Sequence, residues 1–182
     1  MSKVKRLIQS YGRYIAVPWR NDVAAAQRVV FCVYPEDEEL RLRASVEEFE
    51  LATRQAGHGW AVFDLTDTFP RWLGAQRYAR SYFQKPDLLS VPRRYRAYIA
   101  TEFASFLEAN KIDEETVVAL QGVGSLFGLL RVKDVIDDLA PKVEGRLVVF
   151  FPGSYENNNY RLLDAYDGWN YLAVAITADR ET

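Results

Sequence analysis

The chain has 182 residues, 49% of them hydrophobic and 26% charged, with a formal net charge of −2. That length and apolar content suit one domain with its own core, so residues 1–182 are read as a single α/β domain. One cysteine excludes an intramolecular disulfide, no apolar run approaches the ~18 residues of a membrane span, and no signal-peptide core opens the chain, so a cytoplasmic protein is expected.

Up to Arg20 the chain carries Lys3, Lys5, Arg6, Arg13 and Arg20 without an acid, and residues 1–20 read as a basic N-terminal segment. The run from Arg28 to Tyr34 is apolar and β-rich without alternation, as in a strand covered on both faces; Cys32 inside it reads as a small core residue. Pro35 and the acids after it suit a helix first turn, and Leu42, Val46 and Phe49 continue an amphipathic helix to about Ala56. Trp60 to Leu65 is the second strand. From Asp67 to Val91 the pattern is less decided, with Tyr78, Tyr82 and Phe83 at helical spacing before Pro86 and Pro92. Arg93 to Asn110 is a helix with Tyr95, Ile99, Phe103 and Phe106 along one stripe. A third strand over Thr116–Leu120 leads into Gly122-Val-Gly124, then Ser125 as N-cap of a helix that buries Val132, Val135, Ile136 and Leu139. Arg146–Phe151 is the fourth strand and Tyr171–Ile176 the fifth.

Strands alternating with helices predict a mainly parallel central sheet of about five strands with helices on both faces, a Rossmann-like or P-loop-like layout. Two closures are open for the last strand. It either runs parallel or turns back across Tyr166-Asp-Gly168 as an antiparallel edge. In such sheets ligands bind beyond the carboxyl ends of the strands, which Asp64–Asp67, Gln121–Ser125 and Pro152–Asn159 should reach.

Candidate chemistry along that edge is sparse. Gly122, Gly124 and Gly128 do not form the dinucleotide fingerprint, and no Walker lysine follows them. The Gly122–Ser125 turn could still hold a nucleotide or small anion, or act as a simple strand-to-helix turn. Gly122 and Gly124 are expected to matter to the backbone, through a positive φ or a close approach that excludes a Cβ. Asp64, Asp67 and Glu156 could gather as oxygen ligands, with Asp67 equally a helix cap, while His58 lacks a partner for zinc or for a nucleophile. No catalytic motif is present, and no cofactor or metal is expected. The stretch around Arg77, Arg80, Arg93, Arg94 and Arg96 interleaves basic and aromatic groups, which suits an acidic protein partner, unpaired nucleic acid, or inward aromatics with outward arginines. Between Phe150 and Tyr171 come three consecutive asparagines, four tyrosines and Trp169, a polar and aromatic excess that points to recognition.

Gly122-Val-Gly124, Arg131-Val132, Pro152-Gly-Ser-Tyr155 and Asn170-Tyr171, in that order, resemble the BrxB family of bacteriophage exclusion (BREX) defence systems. The resemblance covers roughly residues 116–176, and Ser154 stands where the family pattern has an acid. It implies a non-catalytic scaffold or regulator beside a large ATPase, a PglZ-type phosphatase-like protein and a DNA methyltransferase. The candidate contact residues are Gly122, Gly124, Ser125, Arg131, Pro152, Gly153, Tyr155, Asn158, Arg161, Asn170 and Tyr171. Direct DNA binding is not favoured at an acidic pI of about 5.6, and no membrane contact is expected.

Overall fold

A computed structural model describes residues 1–76, 92–165 and 168–178. Arg77, Tyr78, Arg80, Tyr82 and Phe83 lie outside the described residues. In chain order the elements are α1 (Lys3–Ile15), β1 (Val29–Tyr34), α2 (Glu39–Ala44), α3 (Val46–Gln55), β2 (Gly59–Asp64), α4 (Thr68–Gly74), α5 (Pro92–Ala109), β3 (Thr116–Gln121), α6 (Val132–Leu139), β4 (Arg146–Glu156), β5 (Asn159–Leu162) and β6 (Val174–Thr177).

Five strands form one parallel sheet in the order β2-β3-β4-β1-β6, and β5 pairs antiparallel with the far end of β4. The α/β class and the parallel sheet are as the sequence predicts. The antiparallel closure is not adopted. β6 runs parallel to β1, with Val30 opposite Val174 and Val33 opposite Thr177. It begins at Val174, so Tyr171 precedes the strand.

Side chains that alternate along each central strand divide between two cores. Val29, Phe31, Val33, Val118, Leu120, Leu147, Val149 and Phe151 face α4, α5 and α6, whose Trp72, Tyr95, Phe103 and Ile136 cover them. Val30, Cys32, Val117, Ala119, Val148 and Phe150 face α1, α2 and α3 through Leu7, Tyr11, Leu42 and Phe49. Burial of both faces explains why these strands lack alternation of apolar and polar residues.

The basic N-terminal segment is in fact mostly a helix. Ser2 accepts a hydrogen bond from Lys5 N at 3.2 Å, and Val4, Leu7, Tyr11 and Ile15 are buried along one side of α1. The single helix expected after Pro35 is broken at Ser45, between α2 and α3.

Candidate functional site

The connections leaving β1 run to one face and those leaving β4 to the other, which makes their adjacent carboxyl ends a topological switch. Tyr34 and Pro152 are opposite one another there. Two structures occupy this edge: a polar network beyond β1, β2 and β3, and a hairpin beyond β4.

The network runs through one arginine. Tyr34 donates to the Glu39 carboxylate, and Arg43 Nε donates to Glu39 Oε1 at 2.8 Å. Arg43 also donates to Thr66 Oγ1 at 2.9 Å and lies 3.7 Å from Asp64 Oδ2. Asp64 accepts from the Thr66 amide and hydroxyl at 2.9 and 2.6 Å, and from Gln121 Nε2 at 3.1 Å. Burial pushes the Asp64 carboxyl up, but the Thr66 hydrogen bonds, the Arg43 charge and Gln121 together hold it below the usual aspartate value. For Tyr34, burial and then the Glu39 carboxylate raise the phenol.

The Gly122 turn closes onto this network. Gly122 has φ +76°, and Ser125 Oγ lies 2.6 Å from Gly122 O and 3.2 Å from Leu65 O. Ser125 is therefore part of a 3-10 turn over Val123–Leu126 and caps no α-helix; α6 begins seven residues later, at Val132, with Arg131 in the cap position. Gly124 has no positive φ, and a Cβ there would sit 3.5 Å from Pro152 Cγ, an ordinary contact. Of the two glycines only Gly122 is irreplaceable on steric grounds.

Beyond Phe151 the strand does not end at Pro152-Gly153. β4 continues to Glu156 and returns as β5, with Gly153 opposite Leu162 and Tyr155 opposite Tyr160. Asn157 and Asn158 have φ of +51° and +64°, the left-handed pair that a two-residue hairpin turn requires. An added Cβ on Gly153 would fall 2.0 Å from Arg161 O, so this position admits glycine alone. The Tyr155 hydroxyl donates to Asn158 Oδ1 at 3.2 Å.

The aromatics of this segment turn largely inward. Tyr160 is fully buried, with ring centroids 4.5 Å from Phe31, 4.6 Å from Tyr155 and 5.2 Å from Trp169. Backbone bonds of 2.7 and 2.9 Å join Tyr160 to Trp169 in both directions, folding the chain after β5 back against it. Burial, then the Asp137 carboxylate of α6, raises the Tyr171 phenol. Its neighbour Asn170 is exposed, as are Arg161, Asn158 and Arg131.

Between this folded-back chain and the segment leading into α6 lies an open cleft of about 690 Å³. Phe127, Leu130, Leu162 and Trp169 give it apolar walls, and Arg131 and Lys133 stand at its rim. Sequence reading singled out Arg131 and Arg161 but not Phe127 or Lys133, because residues 127–133 and 162–169 meet only in the tertiary structure.

The remaining candidates separate. Asp64 belongs to the network, Asp67 makes no side-chain cap bond at α4, and Glu156 is on the exposed hairpin; no potential metal-binding group of His, Cys, Asp or Glu occurs among the described residues. His58 lies at the opposite, amino-terminal edge of the sheet, stacked on Trp19 with centroids 3.6 Å apart. Of the basic stretch, Arg93 and Arg94 are exposed, while Arg96 binds Asp138 through both ends of its guanidinium at 2.5 and 2.8 Å. Tyr95 between them is buried and shares a 2.6 Å hydrogen bond with Thr68. No described helix is long and apolar enough to cross a membrane.

The fold and this edge define a doubly wound α/β protein whose switch point carries a hairpin and an apolar cleft. Residues 88–176, just under half of the chain, match the family model described as BREX protein BrxB. The match takes in α5, β3, α6, the hairpin and nearly all of β6. No curated protein and no solved structure matches the chain.

Proposed function

We propose that the protein is a non-catalytic scaffold or regulator of a BREX-type antiphage system, working through protein contacts on the carboxyl-edge face. The observation that carries this reading is the BrxB match over the region that also builds the hairpin and the cleft. The arrangement of polar groups supports it. Tyr34, Glu39, Arg43, Asp64 and Thr66 are committed to one another, which rigidifies the edge. The Gly122 turn is a poor anion cradle, because the Asp64 carboxylate presses on it: a Cβ on Gly122 would lie 2.7 Å from Asp64 Oδ1. What remains exposed is the hairpin tip with Asn158, the Arg161 guanidinium and the cleft rim.

Co-expression of the tagged chain with a PglZ-type protein, a large ATPase and a DNA methyltransferase of a BREX system tests the reading. At least one should co-purify, and Tyr155→Ala and Arg161→Ala should each lower its recovery while the melting temperature stays near that of the parent. Recovery of none of the three would overturn it.

A further inference from the structure

Four of the described arginines outside the candidate site have an acid beside them. Arg20 meets Asp22, Arg41 meets Glu38, Arg54 meets Glu50 and Arg96 meets Asp138. Around the cleft such pairs are missing among the described residues. Arg131, Lys133 and Arg161 are exposed and form no ion pair with a described residue, and no carboxylate is among the described residues lining the cleft. Arg161 belongs to the same rim, since its Nη2 would lie 3.9 Å from a Cβ placed on Gly168 of the cleft wall. Asp134 and Asp164 are nearby in sequence but do not line it.

The walls have the opposite character. Phe127 keeps 47% of its surface exposed, and Leu130, Leu162 and Trp169 continue the apolar lining. Such walls gain from an apolar side chain, at about 25 cal/mol per Å² of apolar area covered. The three cations gain from carboxylates set around that side chain, where contact with the protein partly excludes water. A bare inorganic anion would satisfy the rim and leave the walls wet.

We infer that the cleft receives an acidic segment of a partner protein, with a leucine or phenylalanine side chain seated between Phe127 and Trp169 and flanking carboxylates paired with Arg131, Lys133 and Arg161. This inference rests on the reading above that the carboxyl-edge face meets a protein, and it adds the chemistry of the contact. The partner is recognised by that pattern of charge and apolar anchor.

Fluorescence anisotropy tests it, with a labelled synthetic peptide carrying leucine and phenylalanine flanked by aspartates, and a counterpart with lysine for each aspartate. The acidic peptide should bind saturably, more weakly as salt rises, and about tenfold or more weakly to an Arg131→Glu/Lys133→Glu double variant of parental melting temperature. Equal binding of the lysine peptide, no saturable binding of the acidic one, or indifference to the double variant would overturn the inference. So would ATP displacing the acidic peptide while itself depending on Arg131 and Lys133, since the cleft would then be a small-anion site. Co-purification separates this from the broader reading. A defence-system partner retained in full by the double variant sinks the cleft assignment alone, whereas peptide binding without any co-purifying partner sinks the broader reading alone.

Discussion

Gly122 and Thr66 meet where a side chain on the glycine has no room: a Cβ at Gly122 would lie 2.4 Å from Thr66 Oγ1 and 2.7 Å from Thr66 N. The glycine also holds φ +76°, which costs a residue with a Cβ about 1–2 kcal/mol before any clash. Gly128 provides the control, with φ +77° and no atom within 4 Å of its Cβ position. Gly128→Ala should therefore show only the backbone cost. Gly122→Ala should cost more, about 3 kcal/mol, because Thr66 and its bonds to Arg43 and Asp64 must move. Urea denaturation of the two variants measures the difference, and equal losses would show that the Thr66 contact yields freely.

Trp19 should anchor the segment between α1 and β1. Its ring is sandwiched, with His58 stacked on it at 3.6 Å and the Arg146 guanidinium 4.8 Å from its centroid. Arg146 is only 5% exposed, yet it meets no carboxylate among the described residues; it donates to Arg20 O at 2.9 Å and Gly145 O at 3.0 Å. Trp19→Ala uncovers that cation and removes the stack, for an expected loss of about 2–3 kcal/mol. Limited proteolysis should then cut near Arg20 in the variant and leave the parent intact. A variant that resists cleavage would show that Arg28, bonded to Val143 O and Val23 O at 3.2 Å each, suffices as the anchor.

How much of this was legible follows from the physics of each element. The parallel strands announced themselves as apolar runs, because both faces of the sheet are covered. Helix α1 was obscured by its lysines and arginines, although Val4, Leu7, Tyr11 and Ile15 recur at helical spacing. The β4–β5 hairpin is harder to see in the sequence. Asn157-Asn158 carries a turn signal, but Pro152-Gly153 has the composition of a strand end although the strand runs through it. The aromatics of that segment suggest recognition from composition alone, whereas Tyr160 faces the core of the sheet beside Phe31 and Phe151. The cleft left no local trace, since its walls come from segments about thirty residues apart.

Arg43 should be worth more than an ordinary surface cation. It joins Glu39 of its own helix to Thr66 and Asp64 beyond β2, so its loss leaves three groups short of a partner. Isolated exposed pairs contribute at most about 1 kcal/mol, and the shared hydrogen bonds here raise the expected cost of Arg43→Ala to about 1.5 kcal/mol. A double-mutant cycle with Asp64→Ala should give non-additive losses, as the two share Thr66. Strict additivity would mean that the arginine acts on Glu39 alone.

The protein should lose stability at both ends of the pH scale, for separate reasons. Burial raises the phenols of Tyr11, Tyr34, Tyr171, Tyr14 and Tyr95 above their ordinary value of 10.0, with Glu39 adding to the effect at Tyr34 and Asp137 at Tyr171. The folded state thus holds these protons more tightly than the unfolded chain. Their contribution is complete below about pH 10 and is lost as pH rises above it. Asp64, Asp22 and Asp113 behave in the opposite sense, each held below its ordinary value. Asp64 is held there by Thr66, Arg43 and Gln121 against burial, Asp22 chiefly by Arg20, and Asp113 chiefly by Thr116. Their contribution is present above about pH 4 and disappears as pH falls through the lowered values. A melting-temperature profile should therefore be flat near neutrality and drop on both sides. Tyr34→Phe should make the alkaline limb shallower and leave the acid limb unchanged, and Asp64→Asn should do the reverse. An alkaline limb equally steep in Tyr34→Phe would show that the Tyr34–Glu39 contact does not bear on proton release.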